Sequence, residues 1–303
     1  KNTFNFFNNH VRLGNTFLIK SGDRKFSDLT ITDVLRQNAL LPIYDENVLG
    51  GYATYAPWMK NLENPVGYLN LYNRHVYQTD IMLNGFAEAD LFLKGLKYRL
   101  NVGYNKTTGR GYNKRDAYTY GDAKQQSYLN ESAFFNNQWL IENTLHYDNT
   151  FDKHTISVLL GYSAQENSNR GFGVGRNDIP LGTDAINAAS PTQQTTSGSV
   201  QEAALLSQFG RIMYSFDSRY LVTASLRRDG SSKFSDGYRY GLFPSVAVGW
   251  NIMNEQFFES ARATVNEFKI RASYGRLGNQ DIANYTTQNI TSYGINYIQG
   301  GSW

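Results

Sequence analysis

Apolar residues recur at every second position in segment after segment of this chain. Leu96, Tyr98, Leu100, Val102 and Tyr104 alternate with Lys97, Arg99, Asn101, Gly103 and Asn105, the period of a strand with one oily and one wet face. The same alternation returns at Trp139, Ile141, Leu145 and Tyr147 against Glu142, Thr144, His146 and Asp148, and at Ile156, Val158, Leu160 and Tyr162 against Thr155, Ser157, Gly161 and Ser163. It returns again at Val246, Val248, Trp250 and Ile252, and at Phe268, Ile270, Ala272 and Tyr274 against Lys269, Arg271 and Ser273. Residues 81–92, 204–215 and 220–228 alternate less cleanly, and a strand-like pattern is already running at Phe4, so the chain holds about nine or ten strand candidates. The apolar spacing in ITDVLRQNALLP, residues 31–42, predicts a short helix instead.

The connections fall into two classes. Short turns are expected at Lys94-Gly95, Asp152-Lys153 and Asp217-Ser218; long loops are expected at 106–137, 166–203 and 229–242. Transmembrane barrels have this asymmetry, with tight periplasmic turns and long outer loops. Strands of about ten residues suit a tilted crossing of the hydrocarbon layer. Tyr104, Tyr147, Tyr220 and Tyr274 near strand ends fit an aromatic girdle. Residues 253–267 form a longer connection at the short-turn end, where Phe257 and Phe258 are expected to pack locally.

Composition agrees with this fold class. The chain has 22 Tyr and 18 Phe but only 4 Met, and a mean hydropathy of -0.50. No run approaches the roughly 18 apolar residues of a membrane-spanning helix, whereas half-apolar strands with wet loops fit. A net charge of +3, spread along the chain, gives no reason to expect a nucleic-acid partner. Cysteine is absent, which excludes disulfides and thiolate metal sites. The first residues, KNTFNFFNNH, lack the pattern of a signal peptide, and the reading here is that the chain lies inside a longer protein.

Nothing in the sequence points to catalysis, a metal or a cofactor. His10, His75, His146 and His154 are scattered outside metal-binding spacings. GFGVGR, residues 170–176 with its leading Arg, lacks the Lys-Ser/Thr of a phosphate loop and reads as an outer loop. Asp229, Asp236 and Glu255 show no pairing, and there is no G-x-S-x-G elbow. Tyr112, Tyr118, Tyr120 and Tyr128 sit among Asn, Lys and Arg in an expected outer loop. Two readings apply to them: rings that hold a sugar or peptide, or rings that pack against neighbouring loops.

The segments 210–258 and 268–282 carry four ordered blocks. They are Gly210, Arg211 and Tyr214; Arg227, Asp229, Gly230, Ser231, Ser232 and Phe234; Gly241, Phe243, Pro244, Ser245, Gly249 and Trp250; and Lys269, Arg271 to Gly275 and Gly278, Asn279 and Gln280. Their order and content resemble the barrel of SusC/RagA-type TonB-dependent outer-membrane transporters. LPIYDENVLGGY (41–52) and NPVGYLN (64–70) resemble first-half loops of that family more loosely.

The resemblance implies an all-β, transmembrane antiparallel barrel of roughly 22 strands with a plug, of which this chain supplies a part. It further implies active import of a glycan or peptide through the outer membrane, with a SusD-like surface lipoprotein as lid and the TonB complex as energy source. Residues 1–303 are then barrel, with the plug domain, TonB box and signal peptide outside them and Trp303 an interruption of the barrel. Glu142, Arg227 and Arg271 are expected to face the lumen as hydrogen-bonding partners of the plug or of neighbouring strands. Polarity sets the register: Val246, Val248 and Ile270 toward lipid, Ser245, Ala247 and Arg271 toward the lumen. Two other classes stay open at this point. A non-transporting outer-membrane barrel or adhesin would lack a plug and TonB box; a soluble all-β carbohydrate-active enzyme would need paired carboxylates.

Overall fold

A computed structural model describes residues 2–37, 40–54 and 64–287. Ten strands form one antiparallel sheet in which each pairs only with its neighbours along the chain. They are β1 (Asn2–Phe6), β2 (Val11–Lys25), β3 (Tyr72–Asp90) and β4 (Leu96–Arg115); then, after a separate small hairpin of β5 (Tyr118–Tyr120) and β6 (Ala123–Gln125), β7 (Tyr128–Phe151), β8 (His154–Asn177), β9 (Gln194–Phe216), β10 (Tyr220–Ser231), β11 (Tyr240–Asn251) and β12 (Lys269–Gly275). β1 and β12 are the edges, so the described sheet is an open arc of a barrel.

The register keeps parity from strand to strand. Leu83, Val102, Ile141, Leu160, Ile212, Val222, Val248 and Ile270 therefore share one face, and all eight are exposed. Water is a poor solvent for so continuous an apolar surface; lipid is a good one. Arg12, Glu88, Arg99, Glu142, Ser157, Arg211, Ser245 and Arg271 occupy the other face. The sheet has no core of its own. The buried cluster of Leu129, Ile179 and Ala189, joined by Tyr112 and Ile186, lies under the outer connections.

Two of the three expected loops are largely strand, and the third is shortened at both ends. β7 and β8 each have 24 residues and β9 has 23, leaving connections of only 116–127, 178–193 and 232–239. Beyond the lipid band both faces are polar, so alternation vanishes while the main-chain ladder continues: Asn136, Asn137 and Gln138 pair with Asn169, Ser168 and Asn167. GFGVGR is corrected for the same reason. It belongs to β8, with Gly171, Gly173 and Gly175 paired to Ser199, Ser197 and Thr195.

The expected short helix is real but spans only Ile31–Leu35 (α1), with Thr30 and Asp33 forming a capping box. Residues 38 and 39 of the expected span, like Trp303, lie outside the described residues. NPVGYLN is not a loop; it is α2 (Pro65–Leu71), capped by Asn64 with Pro at its first position.

Short turns mark the inner rim. At Gly95 φ is +87°, and a β-carbon there would run into the carbonyl oxygen of Asp148, so only glycine fits. One turn lay outside the expected set: Phe7, Asn8 and Asn9 all have positive φ between β1 and β2. At the same end, 3-10 turns at Ile252–Asn254 and Gln256–Ala263 link β11 to β12. As expected, Phe257 meets Trp250 and Phe258 edge-on at 6.4 and 6.5 Å, and Phe258 lies 5.6 Å from Phe268. Phe151, His154, Phe216, Tyr220 and Trp250 follow one register row across five strands, an aromatic girdle at the inner boundary.

Candidate binding site on the polar face

Three sequence blocks far apart in the chain meet at the outer end of β10 and β11. Ser231, buried at the end of β10, donates its N–H to the Arg239 carbonyl at 2.9 Å. Ser232 donates its N–H to the Ala204 carbonyl at 3.0 Å and accepts the Ala204 N–H on its hydroxyl at 2.8 Å, fastening the turn to β9. Lys233 Nζ donates to the Ile282 carbonyl at 2.8 Å, and Thr287 Oγ1 donates to the Lys233 carbonyl at 3.2 Å. The chain after β12 is thereby drawn back over the Asp-Gly-Ser-Ser turn. A β-carbon on Gly278 would strike the Phe243 ring, so the glycine lets the returning backbone lie on that ring.

These contacts shape an open recess of about 400 Å³, large enough for a single residue-sized group. Phe234, Tyr238, Tyr240 and Phe243 give it flat apolar walls, and Arg227, Asp229, Arg239 and Arg276 give it charge. Arg227 is fixed three ways. Its Nε reaches the Asp229 carboxylate at 2.7 and 2.8 Å, its terminal nitrogen donates to the fully buried Ser207 hydroxyl at 2.9 Å, and its guanidinium lies 5.4 Å from the Phe209 ring centre. Arg239 pairs with Asp236 at 2.9 Å. The Arg276 guanidinium has no hydrogen bond or ion pair among the described residues; its backbone N–H donates to the Pro244 carbonyl at 3.0 Å. Three guanidinium groups thus share the wall with one carboxylate.

The acceptor of that last bond is Pro244, which has no backbone N–H of its own. The proline lies inside β11, paired with Leu226, rather than at its start. Its carbonyl points to Arg276, so its ring nitrogen points the same way, just past the last β11–β12 pair, Ser245 with Gly275. The missing donor therefore breaks no ladder bond.

A second polar array crosses β2, β3, β4 and β7. Glu88 accepts from Arg12 at 2.8 Å and from Arg99 at 3.1 Å; Arg12 also pairs with Asp90 at 2.9 Å. Arg99 Nε donates to Asn101 at 2.9 Å, and Asn101 donates to Glu142 at 3.0 Å. Glu142 thus ends a connected network, whereas Arg271 stands beside Lys269 among Ala247, Gly249 and Ser273 with no hydrogen bond or ion pair among the described residues.

The model of the family described as "TonB dependent receptor-like, beta-barrel" matches residues 7–302. The chain belongs to this TonB-dependent receptor β-barrel family. Among curated relatives, TonB-dependent receptor P39 of Formosa agariphila is 32% identical over 214 residues, covering 67% of this chain and 20% of the relative. TonB-dependent receptor SusC of Bacteroides thetaiotaomicron is 24% identical over 298 residues, covering 91% of this chain and 29% of SusC. The solved RagAB peptide transporter shares the fold, with a TM-score of 0.73 at 21% identity, covering 92% of this chain and 32% of that one. The chain therefore spans a third or less of these proteins and is SusC/RagA-type outer-membrane barrel.

Within this TonB-dependent receptor barrel the quoted motif residues fall at three heights. Asp229, Gly230, Ser231, Ser232 and Phe243, with Gly278, Asn279 and Gln280, build the outer cavity and its turn. Ser245 sits mid-strand, sharing a 2.7 Å hydroxyl bond with Ser225, and Gly249 lies beside Trp250 near the inner end of β11. Trp250 marks the inner rim, where its Nε1 donates to Glu255 at 2.9 Å; Tyr220 donates to the same oxygen at 2.8 Å and Arg219 to the other at 3.3 Å. These donors, Trp250 first, hold the Glu255 carboxyl below its ordinary range. Tyr238, Arg239, Tyr240 and Arg276 were not singled out from the sequence. Their only signal there was adjacency to the motif blocks.

The four outer tyrosines are engaged with one another and with the chain. Tyr118 is buried, with its hydroxyl 3.2 Å from that of Tyr72, and Tyr120 lies 6.5 Å from it, half-buried. The Arg115 guanidinium fills the space between Tyr72, Tyr118 and Tyr128, at 5.7, 5.4 and 4.7 Å from the ring centres. Tyr112 belongs to β4 and Tyr128 to β7. Lys114 at 2.9 Å and then Tyr112 at 3.0 Å donate to Asp184, which keeps that carboxyl below its usual range. Of the two readings weighed for these rings, their contacts accord with packing. No group of three or more metal-ligating side chains occurs among the described residues.

Proposed function

We propose that this chain is part of the barrel of a TonB-driven importer that carries an oligomeric nutrient, an oligosaccharide or a peptide, across the outer membrane. The plug domain, TonB box and signal peptide belong to the remainder of a longer chain, and a SusD-like lipoprotein covers the outer mouth. The observation that carries this reading is the outer cavity: the blocks that mark the SusC/RagA type converge on a recess of the lipid-averted face, above the membrane band, where an entering cargo passes. Lipid on the apolar face leaves the polar face as the lumen wall, with Glu142, Arg227 and Arg271 on it. The likeness to SusC and to RagAB, a peptide transporter, supports the importer reading, while the lid and the glycan alternative follow from the SusC/RagA-type resemblance. The family consists of transporters and receptors rather than enzymes, and import requires binding and release with no bond made or broken in the cargo.

Uptake of fluorescent oligosaccharides and oligopeptides by cells carrying the full-length protein tests this. Import that stops when TonB is deleted, while surface binding persists, is the expected outcome. Binding without import in TonB-containing cells identifies an adhesin and overturns the reading.

A further inference from the structure

The geometry points to a carboxylate-recognition site: the outer cavity holds an anionic carboxyl group of the cargo against Arg276, with the attached residue or sugar ring lying on Phe243 and Tyr238. This deepens the importer reading and rests on it.

Charge decides the ligand class. Three guanidinium groups and one carboxylate line about 400 Å³ of space. Arg227 is neutralised by Asp229 and locked by Ser207, and Arg239 is matched by Asp236. Arg276 is left with its charge unmatched among the described residues, on a segment held in place by the Lys233–Ile282 and Thr287–Lys233 bonds. A guanidinium held by its backbone and lacking an internal acceptor is prepared for an incoming planar, two-oxygen anion, to which it donates bidentately. The aromatic walls supply apolar contact for a ring or side chain, and the hydroxyls and amides of Tyr238, Tyr240, Asn279 and Gln280 are neutral, so they do not offset the guanidinium charge. The charge of Asp229 is already balanced by Arg227, whose Nε lies 2.7 and 2.8 Å from its two oxygens. The site thus favours anionic over neutral and cationic cargo. Both a peptide C-terminus and an acidic sugar provide the required group.

The experiment uses the full-length transporter in detergent and isothermal titration with two pairs of probes. One pair is a short peptide with a free C-terminal carboxylate and the same peptide as its C-terminal amide. The other is an oligogalacturonate and its methyl ester. In at least one pair the free acid binds about tenfold tighter than its blocked form, the scale of one charged hydrogen-bonded contact. Arg276→Gln abolishes that preference, because the free acid loses more affinity than the blocked form, while Arg276→Lys restores part of it. Which pair shows the preference identifies the carboxylate's source. Equal binding of acid and blocked form in both pairs, no binding of either pair, or an equal loss for both forms in Arg276→Gln overturns the proposal. The importer reading is judged separately by TonB-dependent uptake, and survives all three of those results.

Discussion

The lower and upper halves of β8 share one ladder and two different environments. From Ile156 to Tyr162 one face is Ile, Val, Leu and Tyr; the same face continues upward as Ala164, Glu166, Ser168 and Arg170. Pairing does not change across the boundary: Leu160 lies between Leu145 and Gly210, and Ser168 between Asn137 and Glu202. A strand of 24 residues is about 80 Å long at the usual rise, more than twice what a tilted crossing of a ~25 Å apolar band needs. Alternation therefore reports the solvent on each face. Main-chain hydrogen bonding makes the strand whether or not that signal is present.

The sharpest way to break this comparison is to place the same charge at both heights. Leu160→Arg should cost about 2–4 kcal/mol of folding stability in bilayers, because the charge sits in hydrocarbon. Ser168→Arg, on the same face of the same strand, should stay within about 0.5 kcal/mol. Denaturant titration of the full-length protein in vesicles measures both, and equal costs would show that the band extends over the whole strand.

Above the band, side-chain fit should replace solvent as the constraint. Gly278→Val drives a branched side chain into the Phe243 ring and should cost about 1–3 kcal/mol, with Phe243→Leu recovering part of it. Proteolytic nicking after β12 reads the loss directly. If the valine variant resists protease as well as the parent, the returning segment does not lie on that ring.

Within the band the polar face should depend on its ion network. Glu88→Gln removes the charge shared by Arg12 and Arg99 and should cost about 1–2 kcal/mol, whereas Arg271→Gln, which breaks no internal bond, should cost less than about 0.5 kcal/mol. The smallest effect concerns the inner rim and is a matter of pH. The folded-state pKa of Glu255 lies below its unfolded value of about 4.3. Its contribution is then complete above that value and is lost as pH falls through the lower folded pKa. Hydrogen-exchange protection factors of residues 252–260, corrected for intrinsic rates, should fall in that acid window, and Glu255→Gln should remove this extra pH dependence.

Legibility followed the same boundary. The strands at 96–104, 139–147, 156–162 and 246–252 could be read because lipid on one side and water on the other impose period two. The upper parts of β7, β8 and β9 could not, since polar residues on both faces look like loop. Glycines reinforced the error at GFGVGR, where they pair in a ladder. α2 was hidden by its Pro and Gly, although Asn64 followed by Pro65 is a helix start when read locally. The motif blocks were visible as strings, but nothing in the strings said that Ser232 ties to Ala204 or that Gly278 lies on Phe243.

The sequence by itself determined the class of surface each strand presents, and hence an all-β membrane barrel with a lipid register at Val246, Val248 and Ile270. That follows because the two-residue period of a strand couples local order directly to its surroundings. Tertiary structure alone decided how far the ladder continues into water, which tyrosines enclose Arg115, and that three distant blocks form one cationic recess. Those outcomes depend on contacts across tens of residues, where the partner of a side chain is set by register and return of the chain rather than by its neighbours in sequence.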